Sequence, residues 1–103
     1  MDLGRVAQLT FERPDFERFP ALRLGYEAAQ RGGTMPAVLN AANEEAVAAF
    51  LAGRLSFLGI PQIVAETMAA HETAPLQDLA QVLAVDDWAR DYARQAMAAR
   101  DNF

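Results

Sequence analysis

Cysteine is absent from this 103-residue chain. Its absence removes disulfides, thiol catalysis and Cys-ligated zinc together, and it fits a reducing cytoplasm. Histidine occurs once, at His71. A Ser-His-Asp triad would therefore have to use that ring, and a two-histidine metal site is impossible within one chain. Basic residues are few: nine, spread from Arg5 to Arg100, against fourteen acidic ones, for a net charge of −5. Phosphate backbones need clustered Lys and Arg, so a nucleic-acid partner is not expected. No apolar run reaches the length of about 18 residues that a membrane-spanning helix needs. No basic segment leads into an apolar one as in a signal peptide. The expected setting is cytoplasmic, with no membrane partner.

What is present is apolar. Hydrophobic residues make up 52% of the chain, ample for one core in one domain of this length. Residues 1–15 alternate weakly through Val6, Leu9 and Phe11 until Pro14, which reads as an extended linker arm. A lone extended segment cannot bury a face by itself, so the apolar arm calls for a surface outside it. Residues 16–103 read as an all-α domain, four-helix-bundle-like with one extra short helix. Helix one starts near Phe19 or Pro20 and stops at Gly32-Gly33, with Leu22, Tyr26 and Ala29 on one stripe and Leu24 and Ala28 beside it. Thr34 stands as N-cap of helix two, which carries Pro36 in its first turn, ends at Gly53 and turns Leu39, Ala42, Ala46, Ala49 and Phe50 inward. Its alanines suit close helix approach and make it the central helix. The connector from Arg54 to Pro61 should anchor Phe57, Leu58 and Ile60 under the bundle. Helix three runs to about His71 and buries Ile60, Ile63, Val64, Thr67 and Met68. Leu76, Leu79, Val82 and Leu83 fit a separate helix of two turns. Asp86 is then the expected cap of a last helix whose core face is Trp88, Tyr92, Ala96 and Met97, with Arg90, Arg94 and Arg100 outward.

The polar residues of helix two need a reason, because asparagine is a poor helix former. Asn40, Asn43 and Glu44 share one face by the i, i+3, i+4 rule. They could orient a ligand, but one carboxylate and two amides are too few for a hard-metal site, which wants about six oxygens. The favoured reading is a structural polar cluster joining helices, since buried amides are usually bonded within the fold. Asp86-Asp87 reads as a helix start, not a catalytic pair. His71 reads as a cation at a helix end or a solvated residue. Trp88 and Tyr92 read as core. Gly32-Gly33 lacks the surroundings of a phosphate loop. Taken alone, these residues make a helical domain without a self-sufficient active site.

Three segments add a family. LTFERPDFERFPALRLGYEAAQRGGTMPAVLNAANEEAVAAFL (Leu9 to Leu51), GRLSFLGIPQIV (Gly53 to Val64) and VDDWARDYAR (Val85 to Arg94) resemble, in order, the C-terminal region of 1-deoxy-D-xylulose 5-phosphate reductoisomerase. The resemblance covers the linker and the helical domain only. It implies a full-length enzyme that uses NADPH and Mg²⁺ or Mn²⁺. That enzyme converts 1-deoxy-D-xylulose 5-phosphate to 2-C-methyl-D-erythritol 4-phosphate in isoprenoid biosynthesis. It also implies a homodimer in which dinucleotide-binding and catalytic domains are the partners of this part. The dinucleotide glycine motif, the acidic metal ligands and the substrate-phosphate residues fall outside the matching region. No catalytic, cofactor-binding or metal residue therefore carries over, and this part alone is expected to bind no cofactor and to be inactive. One departure is Gly59, where relatives more typically carry an Asp cap; it should fray the start of helix three, by up to about 1 kcal/mol. Two other readings stay open: an independent helical protein-interaction module, and a site assembled from Glu44 and His71 across a homodimer.

Overall fold

The structure, a computed structural model, describes residues 20–101; the expected arm over residues 1–15 lies outside them. Four helices follow one another: α1 (Pro20–Arg31), α2 (Met35–Leu51), α3 (Gly59–Ala69) and α4 (Leu79–Asp101). Among the described residues there is no strand, as the all-α expectation requires. The central helix is α2, which packs against the other three. Helix α3 also touches α1 and α4, whereas among the described residues α1 and α4 do not meet. Small side chains make this closeness possible. Ala41, Ala42 and Ala46 of α2 and Ala89 and Ala93 of α4 are fully buried, and a methyl group leaves little room between backbones. Met35, Val38, Ile63 and Val64 fill the remaining centre of the core.

Glycine sets two of the boundaries. Helix α1 ends where Gly32 and Gly33 both take positive φ, +62° and +53°, and the Gly32 N–H still reaches the Ala28 carbonyl at 2.9 Å. Helix α2 ends in a Schellman turn. Gly53 sits at φ +77°, the Arg54 N–H bonds the Ala49 carbonyl at 2.9 Å, and the Gly53 N–H bonds that of Phe50 at 3.0 Å. These bonds satisfy carbonyls that a helix end would otherwise leave open.

The first correction concerns the last third. The expected short helix and the expected helix from Asp86 are one continuous helix of 23 residues. No glycine or proline interrupts Leu79 to Asp101, and the true start signal lies upstream. The Asp78 carboxylate accepts the Gln81 N–H at 2.7 Å, while the Gln81 side chain accepts the Gln77 N–H at 2.8 Å and donates to the Pro75 carbonyl at 3.0 Å. This is a capping-box arrangement displaced by one residue. Asp86 is therefore not a cap; it lies inside α4, bonded to Arg90 one turn on.

Facing directions are corrected too. In α1 the buried pair is Leu24 and Ala28, while Leu22 and Tyr26 are about half exposed. Phe57 and Leu58 stand in solvent, not under the bundle; Ile60 alone of the three is buried. In α4 Trp88 is 37% exposed and Tyr92 half-buried, and the inner ridge is Ala89 and Ala93, flanked by Val85, Ala96 and Met97. Helix α3 meets its expectation in full: Ile60, Ile63, Val64, Thr67 and Met68 are its buried side chains, with Gly59. The Thr67 hydroxyl, fully buried, donates to the Ile63 carbonyl one turn back at 2.8 Å, so its burial leaves no open donor. The start of α3 is also not left bare. The Ser56 hydroxyl accepts the Gly59 N–H at 3.0 Å, although no side chain caps the helix itself.

Candidate functional site

Three polar features stand out on this frame. The first is the asparagine face of α2. Asn40 and Asn43 are both exposed, and among the described residues neither side chain has a hydrogen-bond partner. They are not joints between helices, which corrects the expectation for both. They line an open groove of about 280 Å³ whose floor is Leu24, Leu39, Ile60 and Val64 and whose rim is Pro36 and Pro61. Among the described residues no titratable group lines the groove.

Glu44 is the member of the cluster that does join helices. Its carboxylate takes the Arg90 guanidinium of α4 at 2.5 Å. Arg90 also reaches Glu45 at 3.6 Å and Asp86 at 2.8 Å. Next to it Arg94 bonds Glu45 at 2.6 Å and Asp91 at 3.4 Å. Hydrogen bonds donated first to Asp86 and then to Glu44 hold the Arg90 pKa above its ordinary value. A bond to Glu45 does the same for Arg94. Arginines expected to face outward thus pin α4 to α2, and the NAANE and VDDWAR segments meet in one ion-pair network. Farther along α4, Arg100 bonds Gln62 of α3 at 2.6 Å.

The third feature surrounds His71, just past α3. The expected cation or solvated ring is instead half-buried and held from two sides. Its Nε2 lies 2.7 Å from the Thr34 hydroxyl, and its ring meets that of Trp88 in a tilted contact, with centroids 5.3 Å apart and planes at 41°. Burial lowers the His71 pKa, partly opposed by the charge of Glu72. Thr34 does not cap α2, another correction: its hydroxyl makes no bond to the helix. It accepts the Ala74 N–H at 3.0 Å instead, and the Thr34 N–H bonds the Ala74 carbonyl at 2.9 Å. Sequence reasoning missed this junction because residues 37 to 40 positions apart carry no local signal. The Asp78 cap was legible, since Asp78-x-x-Gln81 matches the helix-start pattern.

Within one chain these features stand apart. Thr34 and Glu44 are ten positions apart along one helix, about 15 Å, so Glu44 and the His71 ring bonded to Thr34 occupy different parts of the chain. Among the described residues no group of three His, Asp or Glu is placed to hold a metal ion. At the Gly32-Gly33 turn the Ala74 carbonyl closes over Gly33, within 2.2 Å of where a Cβ would stand.

Comparison with known proteins gives a consistent result. The sequence model described as the DXP reductoisomerase C-terminal domain matches residues 1–92. The 1-deoxy-D-xylulose 5-phosphate reductoisomerase of Chlorobium chlorochromatii is 57% identical over 94 residues, which is 91% of this chain and 25% of that protein. The enzyme of the same name from Nitrosomonas eutropha is 56% identical over 95 residues, 92% of this chain and 23% of that one. Among solved structures, the Zymomonas mobilis 1-deoxy-D-xylulose 5-phosphate reductoisomerase in complex with NADPH superposes with a TM-score of 0.77 at 46% identity, over 94% of this chain and 26% of that one. The chain thus spans about a quarter of the length of the curated relatives it matches.

Proposed function

The chain belongs to the DXP reductoisomerase C-terminal domain family, and from that premise we propose that it is the non-catalytic support domain of a 1-deoxy-D-xylulose 5-phosphate reductoisomerase. In this reading residues 1–15 are the linker arm and residues 16–103 the helical domain. The reacting groups, the NADPH site and the Mg²⁺ or Mn²⁺ site lie in the dinucleotide-binding and catalytic domains of the whole enzyme, a cytoplasmic homodimer. The bundle braces the catalytic domain and helps wall the active-site region through the arm. The observation that carries this is the coverage: the match takes in nine-tenths of this chain but a quarter of each relative. The surface supports it. Leu22, Tyr26, Phe57, Leu58, Leu76 and Leu79 are at least half exposed, as expected of a domain that faces others in its chain.

The test has two arms. Calorimetric titration of NADPH into the 103-residue chain should give no binding, and the chain should convert no 1-deoxy-D-xylulose 5-phosphate; micromolar affinity or turnover would refute the non-catalytic reading. A reductoisomerase lacking the matching quarter should melt at a lower temperature and lose turnover. Unchanged melting and turnover in the shortened enzyme would refute the bracing role.

A further inference from the structure

The junction between the α1–α2 turn and the α3–α4 connector has a polar centre that helix packing does not require. Thr34 is fully buried, and its hydroxyl has two partners, the Ala74 N–H and the His71 ring. Because the oxygen accepts from Ala74, its one proton is free to go to Nε2. That arrangement suits a neutral imidazole with its own proton on Nδ1. Trp88 packs against the ring in a tilted contact, and Tyr92 packs in turn against Trp88, with centroids 5.4 Å apart. The surrounding basin presents Glu72 from the connector and Gln81, Val85 and Trp88 from α4. Glu72 is the one charged group among these, and its field favours the protonated ring, but burial outweighs it.

A proton added to Nε2 turns that nitrogen from acceptor to donor. The Thr34 oxygen then faces two N–H donors, and its own proton has no third partner among the described residues. A buried hydroxyl without an acceptor is unfavourable, and the connector can relieve it by moving away from the turn. We propose that this junction is a proton-operated latch: neutral His71 closes the connector of residues 71–78 onto the α1–α2 turn, and protonated His71 releases it while the four helices stay assembled. The sign follows from linkage. The stability contributed by the neutral ring is fully present above the unfolded value near 6.5 and is lost as the pH falls through the folded midpoint.

The single imidazole makes the test direct on the 103-residue chain. An NMR titration of His71 should give a midpoint below about 6.5. Over the same pH range the Thr34 and Ala74 amides should lose hydrogen-exchange protection while Ala46, inside α2, keeps it. Thr34→Val should raise the His71 midpoint towards its ordinary value and leave the Ala74 amide unprotected at neutral pH. His71→Asn should make the protection of both junction amides independent of pH. A midpoint at or above the ordinary value would overturn the latch. So would protection that survives the titration, loss at Ala46 in step with Ala74, a midpoint unmoved by Thr34→Val, or acid opening that persists in His71→Asn.

Discussion

Adding one methyl group at Gly33 is expected to cost the fold far more than adding one at Gly32. Both glycines have positive φ, +62° at Gly32 and +53° at Gly33, so an alanine pays a left-handed penalty of about 1–2 kcal/mol at either position. The surroundings differ. A Cβ at Gly32 meets nothing within 4 Å, whereas at Gly33 it falls 2.2 Å from the Ala74 carbonyl oxygen and 3.0 Å from its carbon. Those are backbone atoms with no rotamer to escape into, so the connector must move. Moving it breaks the Thr34 N–H bond to the Ala74 carbonyl and the Ala74 N–H bond to the Thr34 hydroxyl, each worth about 0.5–1.5 kcal/mol net. Gly33→Ala should therefore lose about 2–5 kcal/mol in all, against about 1–2 for Gly32→Ala. At roughly 4–8 °C per kcal/mol for a domain of this size, the two melting curves should separate by several degrees at the least. Thermal melts followed by far-ultraviolet circular dichroism, with urea titrations beside them, measure both. Asparagine separates strain from collision, because it tolerates the left-handed region but still carries a Cβ. Gly32→Asn should recover most of the loss and Gly33→Asn little of it. Equal losses at the two positions, or rescue of Gly33 by asparagine, would refute the close approach of Ala74.

Three further expectations follow from the same contacts. Asn43→Ala should be neutral or stabilising by up to about 0.5 kcal/mol, because an exposed amide is exchanged for the best helix former; a loss above about 1 kcal/mol in urea unfolding would reveal a buried partner. Arg90→Met should cost about 1 kcal/mol, with the difference shrinking as salt is added, since its partners are partly solvated; a salt-independent loss would point to packing instead of charge. Asp78→Ala should cost about 1 kcal/mol by removing the N-cap of α4, measured as a fall in the urea midpoint; no change would mean that the helix starts elsewhere.

Much of the fold was legible because it rests on local rules. Pro36 and Gly53 bracket α2, Gly32-Gly33 ends α1, and the Ile60, Ile63, Val64, Thr67, Met68 spacing gives the inner face of α3 without error. The misreadings have physical causes. Asp86-Asp87 before Trp88 looks like a helix start, but nothing upstream of it stops the helix, and its carboxylate serves Arg90 instead. Leu22 and Tyr26 repeat at helical spacing as a core pair does, yet periodicity cannot say whether the covering partner lies in the same domain. The asparagines of α2 look like joints because a mid-helix amide costs propensity, but the bonds expected to repay that cost are absent among the described residues. Thr34 and His71 were beyond reach for another reason: their meeting depends on how two distant turns come together.

The contact of His71 with Trp88 has an optical consequence. The chain holds one tryptophan and one histidine, and their rings are in contact. A protonated imidazole quenches indole emission more strongly than a neutral one. Tryptophan emission from this domain therefore comes from one ring, with no label added, and its intensity follows whether His71 lies against that ring and whether the imidazole is charged.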